Sequence, residues 1–427
     1  MSNVDRRTFL AGAGAGAAAL ALGNGARAAG PNDRLRVAVV GVRGRGQSHI
    51  DAFSGHKATT VAALCDVDSR VLDRSAKAVE AETGKAPERV GDLRRLMDDK
   101  SIDIISIATP NHWHALAAVW ACQAGKDVYV EKPVSHNFVE GRKIVEAARK
   151  HNRVVQTGTQ SRSSPALAEA VEFLRAGKLG TIFMAKGLCY KPRGSIGQKA
   201  DAPVPQGVDY NLWLGPAPER PFNPNRFHYE WHWMWDTGNG DLGNQGIHQM
   251  DIARWGIGKE TWPTQIQSSG GRFGYDDDGE TPNTQVCTYR YDDCLLQFEV
   301  RGLRTNDEKG VRVGNLFYGN DGYMAVNADG WATYLGPKAE PGPSGKGGGD
   351  HFDNFIKAVQ ARKPEGLNAD ILEGHRSSAL CHLGNIAYRL GRSLTFDPKS
   401  ETFGADESAN ALLTREYRSP FLMPESV

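Results

Sequence analysis

The sequence has almost no net charge. Its 427 residues include 51 lysines and arginines and 50 aspartates and glutamates, which give a formal charge of +1 at pH 7. A chain so balanced offers no basic surface to nucleic acid or to anionic lipid, so we expect neither as a partner. Hydrophobic residues make up 40% and charged residues 24% of the chain, as in soluble globular proteins. The length predicts two domains, at about 100 to 200 residues each.

Cysteine is scarce and lacks the spacing of a metal or redox site. The six cysteines stand at positions 65, 122, 189, 287, 294 and 381, with no CxxC pair. Cys287 and Cys294 are the nearest to each other, but a hairpin turning at Asp292-Asp293 puts Tyr291 opposite Cys294. Cys287 then lies two pairs further along, too far for a disulfide. We therefore predict that the cysteines are small core residues.

No hydrophobic run is long enough to span a bilayer. The longest weakly apolar run near the N-terminus, AGAGAGAAALALG, has about 14 residues against the roughly 20 required. It follows the twin arginine of DRRTFL, where Asp5 replaces the usual Ser or Thr, and precedes Ala26-Arg27-Ala28. This order is typical of a twin-arginine export signal with a small-residue cleavage site. We predict a signal at residues 1–30, use of the twin-arginine translocation machinery, a periplasmic or otherwise exported protein, and no stable membrane insertion after processing; an uncleaved tether is the alternative.

A glycine-rich loop follows the first buried apolar run, LRVAVVG. Glycines at a helix N-terminus let the backbone approach a pyrophosphate, and an acidic residue ending the next strand binds ribose hydroxyls. That acidic residue is Asp66, 20 residues past Gly46. The pattern predicts a dinucleotide site, although Arg43 occupies the place of the second glycine; a ligand-free turn is the alternative. The expected contacts are Gly41, Arg43, Gly44, Arg45, Gly46 and Asp66.

Apolar strands alternate with helical segments up to about residue 156. Such alternation predicts a doubly wound parallel sheet of the Rossmann type over residues 31–156, with ligands at the carboxyl ends of its strands. Asn111, His112, Glu131 and Lys132 stand at such ends. Later strands joined by hairpins predict an α+β domain with a large, mostly antiparallel sheet over residues 157–395. Residues 396–427 are then a C-terminal tail.

The stretch GDLGNQGIHQMDIARW carries polar residues at helical spacing. If Asn244 caps a helix here, Asn244, His248, Asp251 and Trp255 share one face. A polar stripe with a histidine, among apolar neighbours, favours the wall of a site. A helix that only shows polar residues to water is the alternative.

The segment FHYEWHWMW holds aromatic residues and two histidines. His228 and His232 would share a helical face and could bind a metal, but no further ligands are evident, so we expect no metal. Trp213, His232 and Trp233 are our candidates for substrate contact, since aromatic rings suit the apolar faces of a sugar. Asp251, on the stretch described above, is a further candidate. Aromatic packing between domains is the alternative.

The glycine loop, Asp66, the EKP of residues 131–133 and the GNQGIHQMD of residues 243–251 together resemble the Gfo/Idh/MocA family of NAD(P)-dependent oxidoreductases. The resemblance runs from about residue 35 to residue 392. It implies that Lys132 and His248 face the substrate beside the nicotinamide, and that Asn111 and His112 approach its ribose. It also implies a homo-oligomer formed through the second sheet. The family commonly has aspartate where this chain has Asn244.

Oxidation of an alcohol requires a proton acceptor, and histidine titrates near neutrality. We predict that His248 accepts the hydroxyl proton while Lys132 stabilises the alkoxide. Because the amide of Asn244 adds no charge, the imidazole of His248 should stay neutral at pH 7. Asp66 would repel a 2′-phosphate and so favours NAD over NADP, a preference that Arg70, Arg43 or Arg45 could weaken.

These features predict an exported NAD(P)-dependent oxidoreductase that transfers a hydride between a tightly bound nicotinamide and a hydroxyl or carbonyl of a sugar or polyol. One alternative is an NAD-dependent glycosidase that acts by transient oxidation and elimination, with no net redox change. A noncatalytic sugar-binding protein is disfavoured because Lys132 and His248 are present. His375 and Arg376 could either reach the site or cap helices.

Overall fold

The structure is a computed structural model that describes residues 34–328 and 330–427. The predicted export signal at residues 1–30 lies outside the described residues. Within the described ranges, no helix is both long and apolar enough to cross a membrane. Two sheets, one parallel and one mostly antiparallel, organise the rest of the chain.

The first sheet has six strands in the order β3-β2-β1-β4-β5-β6, and every neighbouring pair is parallel. Its strands are β1 (Leu35–Val40), β2 (Thr59–Cys65), β3 (Glu88–Val90), β4 (Ile104–Ile107), β5 (Asp127–Val130) and β6 (Val155–Thr157). The helices between them are α1 (Arg45–Gly55), α2 (Ser69–Thr83), α3 (Arg94–Asp98), α4 (Asn111–Gln123) and α5 (Phe138–Lys150).

Helices cover both faces of this sheet, which explains why its strands are continuous apolar runs. Ile50 and Phe53 of α1 pack with Val37 and Val39 on one face. The helix α4 packs with α3 and α5 on the other face. The predicted doubly wound parallel sheet is confirmed.

The second sheet has nine strands in the order β14-β13-β12-β11-β7-β10-β9-β8-β15. Its pairs are antiparallel except for β7 with β10, which is parallel. The strands are β7 (Ile182–Cys189), β8 (Gln265–Gly271), β9 (Thr284–Arg290), β10 (Leu295–Arg301), β11 (Val313–Gly319), β12 (Gly322–Asn327), β13 (Gly330–Leu335), β14 (Glu340–Lys346) and β15 (Leu394–Thr395). The predicted α+β half with a mostly antiparallel sheet is therefore confirmed.

Several helices accompany this second sheet. They are α6 (Pro165–Arg175), α7 (Tyr210–Leu214), α8 (Gly240–Asn244), α9 (Gly246–Ile257), α10 (His351–Ala361), α11 (Ile371–Leu390) and α12 (Glu407–Asn410). Short 3-10 helices cover Gln160–Ser163, Pro224–Arg226, Glu230–Trp233, Pro364–Gly366 and Ala411–Leu413. Helix α9 packs under the sheet, where Gly187 of β7 lets Gln249 approach its backbone. The sheet thus fixes the position of α9, which carries His248.

The hairpin between β9 and β10 has the predicted register. The amide of Tyr291 donates to the carbonyl oxygen of Cys294 at 3.0 Å, and Cys287 stands opposite Phe298. All six cysteines are buried, and none of them forms a disulfide bond. Their predicted role as core residues is confirmed.

Two later segments return to the first sheet. Phe355 of α10 packs among Phe53 and Tyr129 in the core of the parallel sheet. Phe421 and Val427, near the C-terminus, join the core on the opposite face. Both segments follow the predicted boundary at residue 157, the second also the one at residue 396, and both pack on the parallel sheet.

Candidate active site

One cleft joins the carboxyl ends of the parallel strands to the loops and helices of the second half. Its wall includes Gly41, Arg43, Gly44, Arg45, Asp66, Asn111, Glu131, Lys132, Trp213, His232 and Asn244. All eleven are residues that the sequence analysis singled out. The carboxyl ends of several strands meet here, because parallel strands end at the same edge of a sheet.

The glycine loop of the cleft is held against the strand end of β4. Gly41 has φ of 82°, and a Cβ at this position would lie 2.7 Å from the carbonyl oxygen of Ala108. Helix α1 then begins after Gly44 with no side-chain cap. The amides of Gly46 and Gln47 donate to the carbonyl oxygens of Arg43 and Gly44, each at 3.1 Å. The amides of Gly44 and Arg45 are therefore the ones that fit a pyrophosphate.

Asp66 lies beside this loop, at the end of β2. Its carboxylate accepts hydrogen bonds from the amides of Val42 and Asp68, each at 3.0 Å. Burial raises the pKa of Asp66, although these two amides partly oppose the effect. An oriented carboxylate at this point fits the ribose hydroxyls of a dinucleotide.

The three arginines that could weaken the preference for NAD have different surroundings. Arg70 donates to the carboxylate of Asp68 at 2.9 Å and is absent from the cleft wall. Arg45 lines the cleft but donates from Nε to Glu131 at 2.8 Å. Arg43 lines the cleft and is the one of the three whose side chain makes no hydrogen bond to another described residue.

Glu131 is the centre of a buried network that the sequence did not predict. Its carboxylate accepts from Arg45, from His49 Nε2 at 3.2 Å and from Gln160 Nε2 at 3.1 Å. Burial alone would raise the pKa of Glu131, but hydrogen bonding from His49 and the charge of Arg45 hold that pKa well below its ordinary value. Gly158 leaves room for the carboxylate, since a Cβ there would lie 2.7 Å from Oε1. The sequence gives one indication of this network, because His49 stands one helical turn after Arg45.

Lys132 extends from the end of β5 to the junction between α8 and α9. Its ammonium group donates to the main-chain oxygen of Asn244 at 2.9 Å. Burial lowers the pKa of Lys132, and the nearby carboxylate of Glu131 opposes this shift. The site thus holds a cation whose partner is a neutral carbonyl group.

The prediction that Asn244 caps the helix carrying His248 is wrong. Asn244 is the last residue of α8, and α9 begins at Gly246. Gln245 between them keeps helical dihedral angles of −89° and −41°, so the chain never adopts the extended conformation that an N-cap requires. Asn244 contacts Lys132 through its backbone.

His248 lies on the first turn of α9 and is partly exposed. Neither ring nitrogen bonds to another described residue. Burial and the positive charge of Lys132 lower the pKa of His248 to about 3. The imidazole is therefore neutral at pH 7, as predicted, and keeps a lone pair that can accept a proton.

Asp251 and Trp255 lie further along α9 and, like His248, outside the cleft wall. The carboxylate of Asp251 accepts from Arg162 Nε at 2.8 Å and from Ser377 Oγ at 2.7 Å. The guanidinium of Arg162 also lies 5.1 Å from the ring of Trp255. These contacts place Asp251, a candidate for substrate contact, in a buried ion pair with Arg162, and the hydrogen bond from Ser377 links α9 to α11.

Four other candidates also lie away from the cleft wall. The ring of His112 is buried, with Nε2 at 2.9 Å from the carbonyl oxygen of Trp213. His375 packs against aromatic rings, while Arg376 pairs with Glu373. Trp233 is buried and donates from Nε1 to Glu230 at 2.6 Å.

The aromatic segment between residues 227 and 233 forms one wall of the cleft. His228 has φ of 56° and precedes the 3-10 helix that carries His232. The two histidines therefore do not share a helical face, and the described residues contain no cluster of three or more side chains suited to a metal. Tyr229 and Trp231, which the sequence analysis did not single out, also line the cleft.

Arg193 holds this wall in place. It donates two hydrogen bonds to Asp241, at 2.9 and 2.7 Å, and a third to the hydroxyl of Tyr229 at 3.2 Å. Its guanidinium lies 5.2 Å from the ring of Trp233. Asp241 is the buried carboxylate nearest in sequence to Asn244, and its charge is offset by Arg193.

Two sequence comparisons cover this cleft. Residues 35–159 match the Gfo/Idh/MocA model described as oxidoreductase family, NAD-binding Rossmann fold. Residues 188–423, more than half of the chain, match the model described as oxidoreductase family, C-terminal alpha/beta domain. Together they include the glycine loop, Lys132 and His248.

Individual relatives are matched over shorter stretches. A levoglucosan dehydrogenase from Pseudarthrobacter phenanthrenivorans is 28% identical over 189 residues, which are 42% of each chain. A glycosyl hydrolase family 109 protein from Shewanella is 33% identical over 122 residues, which are 28% of this chain and 27% of that one. The chain thus spans about two fifths and about a quarter of these relatives.

Solved structures share the fold over most of the chain. A levoglucosan dehydrogenase in complex with NADH and levoglucosan has a TM-score of 0.64 at 16% identity, covering 85% of this chain and 99% of that chain. The WlbA dehydrogenase from Bordetella pertussis, in complex with NADH and UDP-GlcNAcA, has a TM-score of 0.63 at 19% identity, with the same coverage. With the two family matches, these findings show that the chain belongs to the Gfo/Idh/MocA family of oxidoreductases and has an NAD-binding Rossmann domain at residues 35–159.

Proposed function

We propose that this protein is an NAD-dependent oxidoreductase that acts on a CH–OH group of a sugar or polyol. The observation that carries the proposal is the cleft itself, which joins the glycine loop and Asp66 to Lys132 and Asn244. His248 lies close enough for the charge of Lys132 to lower its pKa. The sugars named for the similar dehydrogenases support this substrate class.

Lys132 and His248 have different roles in the reaction. When bound, NAD supplies the acceptor for the hydride that leaves the carbinol carbon. Lys132 holds the substrate oxygen by a charged hydrogen bond and stabilises it as the proton leaves. His248 is neutral and accepts that proton, so a ketone is formed and the charges balance. Gly41, Gly44, Asp66 and Asn111 line the cleft and would hold the cofactor, whereas the predicted contact Gly46 lies outside the cleft wall and packs against the main chain of Gly41.

The test is a set of turnover assays with the purified protein. NAD and a panel of levoglucosan, D-glucose and myo-inositol are supplied, and the absorbance band of reduced nicotinamide is followed. We expect the wild type to reduce NAD with at least one polyol, and His248→Asn to lose that activity. The proposal is contradicted if no polyol of the panel reduces either NAD or NADP.

A second candidate is a glycosidase that uses NAD without net redox change. The 33% identity to glycosyl hydrolase family 109 proteins over 122 residues favours it. Transient oxidation of the sugar would acidify a neighbouring C–H, the glycosidic bond would break by elimination, and water addition and return of the hydride would complete the cycle. Release of free sugar from glycosides without accumulated NADH identifies this activity.

We also propose that the protein is exported by the twin-arginine route with its cofactor already bound. The proposal rests on residues 1–30, which carry DRRTFL and the small-residue site at Ala26-Arg27-Ala28. This route moves folded proteins, and little exchangeable NAD(P) is expected outside the inner membrane. Protein purified without added cofactor should release nucleotide on denaturation; a nucleotide-free supernatant contradicts tight binding. Replacing Arg6 and Arg7 with lysine should retain the protein in the cytoplasm.

A homo-oligomer formed through the second sheet is a further proposal. Tyr318, Tyr323 and Tyr334 are partly buried cross-strand neighbours in β11, β12 and β13. Their sheet positions alternate with Phe317, Met324 and Trp331, which pack in the core beneath the sheet. The tyrosines therefore lie on the opposite face. Light scattering of the purified protein should give a multiple of the chain mass, and a monomer would contradict this.

A further inference from the structure

His232 presents a ring with one fixed proton position to the cleft. Its Nδ1 lies 2.5 Å from the carbonyl oxygen of Tyr229. A carbonyl oxygen only accepts hydrogen bonds, so Nδ1 carries the proton. Burial lowers the pKa of His232 to about 3, and the charge of Lys132 contributes. The ring is therefore neutral at pH 7, with its lone pair on Nε2.

The orientation of this ring is fixed by its neighbours. It stacks on Trp231 with ring centroids 3.6 Å apart and an angle of 20° between the planes. Tyr229 contacts it from another side at 4.6 Å. Arg193 in turn donates to the hydroxyl of Tyr229 at 3.2 Å. Such packing fixes the direction of Nε2 before any ligand binds.

The other histidines of the cleft wall have different surroundings. Both ring nitrogens of His114 lie against carbonyl oxygens, of Pro133 at 2.6 Å and of Thr109 at 2.8 Å. His228 lies near Arg43 and Asp68, beside the predicted ribose site. Among the histidines of the described cleft wall, His232 thus offers an unbonded ring nitrogen close to Lys132.

We propose that His232 Nε2 accepts a hydrogen bond from a second hydroxyl of the substrate, next to the hydroxyl that Lys132 holds. This inference rests on the proposed function and narrows its substrate to a vicinal diol. A neutral ring with its proton directed at Tyr229 cannot donate from Nε2. It therefore selects a free hydroxyl over an ether, a ketone or a hydrogen atom at that position.

Two variants separate this role from simple packing. His232→Phe keeps an aromatic ring on Trp231 but removes the acceptor, whereas His232→Gln places an amide oxygen near the position of Nε2. The probes are the best substrate among levoglucosan, D-glucose and myo-inositol, and its deoxy analogues at each carbon beside the oxidised one. The oxidised carbon is identified by NMR of the product.

We expect His232→Phe to lower kcat/KM for the parent polyol by about 10- to 100-fold, mainly through KM. The same variant should change kcat/KM for one of the deoxy analogues by about threefold or less, because that analogue lacks the hydroxyl that the ring binds. His232→Gln should recover most of the loss with the parent. Equal losses for the parent and every deoxy analogue, or no loss at all, would overturn the inference.

Binding measurements keep the inference separate from the proposed function. Calorimetry with the NAD-loaded protein reports polyol binding even where no NADH is formed. If the wild type shows no turnover but His232→Phe still weakens binding of the parent selectively, the proposed function is wrong and the inference is supported. If the wild type binds none of the polyols, the inference is overturned.

Discussion

Lys132 and Asn244 join the two halves of the cleft by one hydrogen bond, 2.9 Å from the ammonium nitrogen to the main-chain oxygen. The contact reaches from the carboxyl end of β5 to the junction of α8 and α9. A main-chain acceptor carries no charge, so the cation of Lys132 stays available for a substrate oxygen. The buried carboxylates whose charges act on Lys132 are already paired, Glu131 with Arg45 and Asp241 with Arg193.

Lys132→Met should remove the charged donor while leaving the fold in place. We expect kcat/KM to fall by about 100- to 1000-fold, the usual loss on removal of one donor to a developing oxyanion. NAD affinity, measured by fluorescence titration, should change little. Lys338→Met is the control, since Lys338 is exposed and should leave both quantities unchanged. A loss confined to NAD affinity would contradict a role at the substrate oxygen.

Asn244→Asp should raise the pKa of His248. His248 must be neutral to accept a proton, so activity is lost as the pH falls through its pKa, which burial and Lys132 lower to about 3. A carboxylate at position 244 favours the protonated imidazole, and the acidic limb of the pH–rate profile should move upward by about 1 to 3 units. Asn244→Ala keeps the main-chain acceptor and adds no charge. An acidic limb that moves equally in both variants would rule out the electrostatic explanation.

The parallel sheet and its site residues could be predicted because local pattern determines them. Each strand of that sheet is buried on both faces and so is a continuous apolar run, and the chain after each run lies at the ligand-binding edge. Asn111 and Lys132 were found in this way. The neighbouring His112 faces Trp213 instead, because only the three-dimensional course of α4 decides which side chain reaches the cleft.

Long-range contacts explain what the sequence could not predict. His49 and Glu131 are 82 residues apart, and Arg193 and Asp241 are 48 apart. No periodicity connects them, since their contact depends on how the loops cross the strand ends. The helix break at Gln245 was missed for a different reason, because two helices there join without an extended residue between them.

Glu131→Gln should lower the stability of the folded protein, because it weakens the network of hydrogen bonds at the cleft. The variant replaces the charged acceptor of Arg45 and His49 with an amide, and we expect the free energy of unfolding to fall by about 2 to 3 kcal/mol. The pKa of Glu131 is lowered in the folded protein, so its contribution is present above the ordinary glutamate range and is lost as the pH falls. The difference between wild type and variant, measured by urea unfolding, should therefore shrink in acid. Exposed Glu146 provides the control in Glu146→Gln; a difference independent of pH would contradict the argument.

Asp66→Asn should relax the preference for NAD. The carboxylate of Asp66 is oriented by two amides at the end of β2, where a 2′-phosphate would meet its charge. We expect the ratio of kcat/KM with NADP to that with NAD to rise about tenfold, one decade for about 1.4 kcal/mol of removed repulsion. Arg70→Ala should not change this ratio, because Arg70 pairs with Asp68. A ratio that responds to Arg70 and not to Asp66 would contradict the assignment.

The C-terminal segment should stabilise the cleft through Phe421. Its ring is 1% exposed and lies 5.4 Å from the ring of Trp113, which lines the cleft. Phe421→Ala leaves a cavity in that core, and we expect the free energy of unfolding to fall by about 3 to 5 kcal/mol. NAD affinity should fall with it, because Trp113 loses its support. Leu422→Ala is a matched control, since Leu422 is 52% exposed; if both variants lose the same stability, the tail acts through something other than the packing of Phe421.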